Sequence, residues 1–452
     1  MRITPFHSPA HRIPFSQIKE LVSSGDAPAS PDKVSLSPAI AGGETQGAHG
    51  GWARTDLLVD DDPHFGQQNF HPRQKHRDPD IIKAFGTDTP DSGKVLLHYA
   101  GAPPKGAKKH PYPVLLVHGA TKNGNFFWDP HENGTNDGPA QRLRDEGFEV
   151  YAVTFAHNQD DNFLWAEQVA NAITRIKEET GAEKIDLVGH SKGGMPVRMY
   201  ASDVHEPWMT PFRHDVHRLV LIGAPNGGID YSFRHPSANY ALYKDSDDPR
   251  LNAPMSWNHI VAWGRRRDTS DLGFSKEGPD YWPGQRQMLA RWNDRFPLSP
   301  IEPDWYTTYN GGTGLMSSSD GIDKFIEEGG NLIERLNNTP ISPDVEVAVL
   351  AGDKANIPGV LNEYTGPSDG IVFVESVLKL PEGSNVVERE VKHLHHKALV
   401  SEPEGQDWLV DVLSRDKFEK PAATTEDLLS ASMADFEADK DQVAAPSVLT
   451  QF

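Results

Sequence analysis

The stretch Lys184-Ile185-Asp186-Leu187-Val188-Gly189-His190-Ser191-Lys192-Gly193-Gly194-Met195-Pro196-Val197-Arg198-Met199-Tyr200 decides the fold. Its first five residues are β-type, and the run from Gly194 to Tyr200 is helix-like. Between them a serine is boxed by glycines. A strand that turns at once into a helix leaves room only for small neighbours and strains the central residue. It also holds that side chain out at the sheet edge, in front of a helix N-terminus. Ser191 is therefore the candidate nucleophile. The Gly-x-Ser-x-Gly spacing alone is weak: at ~7% each of Gly and Ser it arises by chance in roughly one chain of this size in seven. The strand before it and the helix after it give it meaning.

Outward from the serine, strands alternate with amphipathic helices. Lys94–Tyr99, Val114–Val117, Phe148–Phe155, Ile185–Val188 and Leu219–Ile222 read as strands. Trp165, Val169, Ile173 and Ile176 recur at helical spacing, with Gly181 where a C-cap belongs. After Gly223-Ala224-Pro225-Asn226-Gly227-Gly228 the alternation stops. Residues 229–341 are loop-rich and hold five of the ten tryptophans (Trp257, Trp263, Trp282, Trp292, Trp305). It resumes with strands at Val345–Leu350 and Val386–Val391 and a helix from Asp407 to Leu413. The fold class expected is α/β: a doubly wound, mostly parallel sheet with a large cap insertion. The core is assigned to 93–228 and 342–415, and the cap to 229–341. Residues 1–50 are read as a mostly disordered N-terminal segment with one short helical stretch, Phe15–Ser23. Residues 51–92 are a wrapped arm, so that regular structure begins near Lys94. Residues 416–452 form a tail with one weak amphipathic stretch, Leu428–Phe436.

Composition narrows the chemistry. A formal charge of −21 argues against nucleic acid or an anionic membrane as a standing partner. There is no cysteine, which removes disulfides, thiolate metal sites and a cysteine nucleophile. No window approaches ~18 uninterrupted apolar residues, so no transmembrane segment is expected. The N-terminus lacks the apolar stretch of a signal peptide. Cytoplasmic residence is the default, and export by a route without a Sec-type signal stays open.

A serine nucleophile needs an oxyanion loop, an acid and a histidine. His118-Gly119-Ala120 directly follows the strand 114–117. The main-chain N–H groups of Ala120 and Lys192 would converge on the developing alkoxide, and the His118 imidazole is read as structural. Three aspartates are candidates for the acid: Asp320 and Asp369, both in Ser-Asp-Gly-Ile, and Asp353 at the end of a strand. Three histidines crowd one later loop: His393, His395 and His396. Their spacing could also serve a metal. No carboxylates accompany it, so no metal ligands are assigned.

His118-Gly119-Ala120, Gly189 to Gly194 and Ala224 to Gly228 together resemble bacterial lipases of the α/β-hydrolase superfamily. Class 2-type triacylglycerol lipases are nearest, with extracellular polyester depolymerases close by. The resemblance covers about 93–228 and 342–415. It implies an α/β-hydrolase fold and a serine hydrolase of carboxylic esters with a Ser-Asp-His triad and no organic cofactor. Some such lipases carry a structural calcium near the histidine loop, and no ligands for one are identified here. The family places its acid after the strand that follows the cap, which selects Asp369 over Asp353 and Asp320. Its His-x-x-Leu-Val pattern selects His396 over His395 and His393. The expected function is a lipase-like enzyme acting on a small-molecule, lipid or polyester ester. The alternatives are a polyhydroxyalkanoate-type depolymerase or thioesterase, and a non-catalytic interaction protein or exported effector. Lys192 departs from the family, where a neutral residue is usual. It is expected to extend to solvent or pair with a cap carboxylate, the sharper alternative being contact with substrate.

Overall fold

A computed structural model describes residues 34–36, 51–71, 74–236, 256, 258–262, 265–268, 273–274, 279–298, 305–419 and 421–440. The stretch 15–23, Trp257, Trp263 and the end of the tail lie outside the described residues.

The chain before the insertion contributes strands β1 (Val34–Leu36), β2 (Arg54–Asp60), β3 (Lys94–Tyr99), β4 (Val114–Val117), β5 (Val150–Phe155), β6 (Ile185–His190) and β7 (Val216–Ile222). Helices α1 (Pro79–Phe85), α2 (Pro139–Asp145), α3 (Asn162–Thr180) and α4 (Gly194–Ala201) lie between them. Residues 229–341 hold α5 (Tyr231–Arg234), β8 (His259–Ala262), β9 (Arg265–Asp268), α6 (Pro283–Gln287), α7 (Trp305–Asn310), β10 (Gly312–Thr313), β11 (Ser317–Ser319), α8 (Ile322–Glu328) and α9 (Leu332–Asn337). There follow β12 (Glu346–Gly352), α10 (Val374–Leu378), β13 (Val386–Lys392), α11 (Ala398–Ser401), α12 (Pro403–Ser414) and α13 (Thr425–Lys440).

The central sheet runs β1-β2-β3-β5-β4-β6-β7-β12-β13 among the described residues. From β5 to β13 every neighbour is parallel, while β1, β2 and β3 join antiparallel. The central parallel strands β4, β5, β6, β7 and β12 are rich in buried apolar residues because both faces are covered, whereas the edge strand β13 is only half-buried. Leu115, Val117, Leu187, Leu219 and Val349 pack on one face in the cluster with Val169, Ile173 and Val197 of α3 and α4. The alternate residues Val114, Leu116, Val188, Val220 and Leu350 pack on the other face with Leu143, Trp408 and Val412 of α2 and α12. Gly181 ends α3 in the left-handed conformation, φ 71°, with its N–H on Lys177 O.

Two sequence expectations need correction. Regular structure begins before Lys94, because β2 lies inside the sheet between β1 and β3, with Trp52, Leu58, Ile81 and Phe85 buried. The tail after 416 carries a full helix, α13, of which the amphipathic stretch 428–436 is the middle. The insertion 229–341 enters after β7 and leaves before β12, although those two strands pair side by side. It builds its own small antiparallel sheet, β10-β11-β8-β9. No described helix is long and apolar enough to cross a membrane.

From β4 the chain steps out to β5 and then crosses back to β6, on β4's other side. The crevice at the carboxyl ends of β4 and β6 is thus a topological switch point, where open α/β sheets place their sites.

Candidate active site

Ser191 sits in that crevice, immediately after β6. Its φ is +55°, a left-handed value that costs a non-glycine residue on the order of 1–3 kcal/mol and persists only when the surroundings enforce it. Here they do. A Cβ on Gly193 would come within 2.3 Å of Val117 O and 2.5 Å of His118 O, so the elbow is pressed directly against the β4 exit loop.

Ser191 Oγ lies 2.8 Å from His396 Nε2, and His396 Nδ1 lies 2.7 Å from Asp369 Oδ2. Asp369 is fully buried. Its other oxygen accepts the N–H groups of Ile371 and Val372 at 3.1 and 2.8 Å. The His396 N–H donates to Asp369 O at 2.9 Å, fixing the two loops together. A carboxylate can only accept, so Nδ1 carries the proton and Nε2 is free to accept from the serine hydroxyl. His190 Nε2 braces the arrangement with a bond to His396 O at 3.2 Å.

The other candidates are not part of this chain of bonds. Asp353 pairs with the exposed His393 at 3.1 Å. His395 Nδ1 accepts the Ala398 N–H at 3.2 Å. Asp320 follows β11, outside the central sheet, and pairs with Lys324 at 2.9 Å. His118 meets Gly119 O at 2.8 Å and accepts the Phe155 N–H at 3.3 Å; burial pulls its pKa from 6.5 down to about 3, leaving it neutral. Among the described residues the Ala120 N–H has no acceptor. The Lys192 N–H belongs to the first turn after Ser191, where intrahelical acceptors are lacking. No group of three or more His, Cys, Asp or Glu side chains that could hold a metal ion gathers among the described residues.

Lys192 departs from expectation. It reaches neither solvent nor a cap carboxylate. Its side chain is fully buried, with Nζ 3.1 Å from the centroid of the Trp165 ring and no hydrogen-bond partner among the described residues. A Cβ on Gly284 would lie 2.8 Å from Nζ, so the start of α6 closes over the lysine. Burial pulls the lysine's pKa well below its usual value, against the charges of Asp160 and Asp161. Burial also pushes the Asp160 carboxyl up to about 8, opposed by the bond from the Asp161 N–H and by the charge of Lys192, while the charge of Asp161 adds to the rise. Sequence reading missed Asp160; its one signal, an acidic pair before a helix, reads simply as capping, which Asp161 does perform on Phe163 N at 2.7 Å.

This pair has a pH signature. The folded chain keeps the Asp160 proton up to about 8, whereas the unfolded chain releases it near 4, so stability falls as pH rises across that window. His98, His118 and His157 act in the opposite sense: held at about 3 by burial against 6.5 unfolded, they cost stability as pH falls from 6.5. The histidines are common to wild type and an Asp160 variant, so their contribution cancels between the two while that of Asp160 still changes between 6.5 and 8. Asp160→Asn is therefore expected to gain in melting temperature over wild type progressively from pH 6.5 to 8. Parallel melting curves across that range would rule out the buried carboxyl.

Residues 112–309 match the family described as alpha/beta hydrolase fold. The chain has the α/β-hydrolase fold. Other hydrolase-fold proteins resemble it only in part. A triacylglycerol lipase of Pseudarthrobacter phenanthrenivorans is 27% identical over 128 residues, 27% of this chain and 35% of that protein. One of Burkholderia plantarii is 27% identical over 128 residues, 27% of this chain and 31% of that protein. The chain thus spans about a third of the length of the curated relatives it matches. Among solved hydrolase-fold structures, a Bacillus licheniformis lipase in its mature form is 14% identical with a TM-score of 0.39, covering 71% of this chain and 98% of that one.

Proposed function

We propose that the protein is a serine hydrolase of carboxylic esters, lipase-like in its preference for an apolar acyl group. The observation that carries this reading is the unbroken relay Ser191–His396–Asp369 at 2.8 and 2.7 Å. His396 takes the Ser191 proton as Oγ attacks the ester carbonyl, and Asp369 stabilises the imidazolium. The N–H groups of Ala120 and Lys192 receive the oxyanion, each such donor being worth roughly 10²–10³ in rate. His396 returns the proton to the departing alcohol, leaving an acyl group on Ser191. Water, deprotonated by the same imidazole, then releases the acid. Every proton is moved by the chain's own residues, and the sequence calls for no organic cofactor.

The test is labelling with a fluorophosphonate probe, followed by peptide mapping and an activity profile over p-nitrophenyl esters of graded acyl length. Label on the Ser191 peptide, with turnover that rises from acetate toward longer chains, is expected. No label and no turnover at any length would leave the non-catalytic reading instead.

A further inference from the structure

Glu363, six residues before Asp369, is buried at 1% exposure. Its main chain closes the loop that carries Asp369: its N–H donates to Gly370 O at 2.9 Å, and its carbonyl accepts from Ser368 Oγ at 2.7 Å. Both neighbours of Asp369 are therefore tied to this one residue. The Glu363 carboxylate is held from two sides. Oε1 accepts the Thr365 N–H and hydroxyl, both at 2.6 Å, within the loop itself. Oε2 accepts from His235 Nε2 at 3.0 Å and lies 3.8 Å from Arg234 Nε. Burial alone would raise the glutamate's pKa, but the bond and charge of His235, with the charge of Arg234, keep it below the usual range.

Arg234 and His235 belong to the insertion, at the end of α5. Arg234 is itself buried and bonds Asp230 Oδ1 through Nε at 2.7 Å and Thr365 Oγ1 through Nη1 at 3.1 Å. Asp230 in turn accepts the Tyr309 hydroxyl at 2.7 Å and the Trp292 N–H at 3.1 Å. The network joins three separated parts of the insertion to the loop of the candidate acid. None of these side chains bonds Ser191, His396 or the Asp369 carboxylate among the described residues.

We propose that Glu363, gripped by Arg234 and His235, is a positioning residue: the insertion holds the Asp369 loop at the height where its carboxylate meets His396. The inference rests on reading Asp369 as the triad acid. A buried ionic network is weak evidence for stability. An Asp–His bond displaced by an ångström is, by contrast, expensive in rate.

The test is a double-mutant cycle on an activated short-chain ester, with Glu363→Gln made in wild type and in Asp369→Asn. Glutamine keeps the Thr365 contacts through its carbonyl oxygen and replaces the charged acceptor facing His235 and Arg234 with an N–H₂ group. Glu363→Gln is expected to cut kcat by ~10- to 100-fold with KM within about threefold. The same change in Asp369→Asn should alter kcat by no more than about twofold, because the group it positions is already lost. An equal loss in both backgrounds, or none in wild type, overturns the proposal. If Asp369→Asn by itself stays active, the triad assignment fails instead, which is a separate result. Should Glu363→Gln not fold, the cycle is run with the partly exposed His235→Ala, and the same two outcomes decide.

Discussion

Ser191→Ala is expected to lower kcat toward a p-nitrophenyl ester by about 10⁶-fold while leaving KM within about threefold. The reason is chemical: the side chain removed is the one whose Oγ lies 2.8 Å from the His396 ring, which also holds the fully buried Asp369 carboxylate. The fold should not notice. Alanine meets the same strain at φ +55°, and the contacts that enforce the elbow come from Gly193 against Val117 and His118. His396→Ala and the double variant should fall to the same floor, since residues that act as one unit lose their effect together. That residual rate is what the proposed oxyanion donors, the Ala120 and Lys192 amides, would supply. A Ser191→Ala protein with a normal melting temperature and more than about one per cent of wild-type kcat would end the acyl-enzyme reading, a far smaller loss than triad removal produces.

What could be read from sequence follows the range of the forces involved. The parallel strands were legible because burial on both faces leaves continuous apolar runs, as in Val114–Val117. Ser191 was legible from the strand, glycine-boxed turn and helix around it, whereas Asp369 and His396 were chosen over their neighbours only by what the family resemblance implies, because Asp369 lies well beyond the end of β12. β2 was not legible. It has only two fully buried residues, Asp56 and Leu58, and its antiparallel partner Lys94–Tyr99 comes much later in the chain. The small sheet of the insertion was hidden for a related reason: β9 reads Arg265-Arg266-Arg267-Asp268, with no apolar alternation. Lys192 looked like a surface lysine because position 192 gives no sign that Trp165 and Gly284 will close on it. The Glu363 network is invisible for the same reason, since its partners meet only after the insertion has folded back on the loop.

Asp369→Asn is expected to lower kcat by about 10⁴-fold, and the local bonds say why an isosteric change costs so much. Asp369 Oδ1 already accepts two main-chain N–H groups, from Ile371 and Val372. An asparagine must keep its carbonyl oxygen there, which turns its Nδ2–H₂ toward His396. Nδ1 then faces a donor and gives up its proton, the proton moves to Nε2, and Nε2 can no longer accept from Ser191. One substitution thus locks the imidazole in the wrong tautomer with the geometry intact. Asp353→Asn, which disturbs the bond to the exposed His393 and touches neither His396 nor Ser191, should stay within about threefold of wild type. The pair of variants is decisive when read together. A large loss at 353 with little at 369 would move the acid to the end of β12 and require His396 to turn away from the loop it now touches.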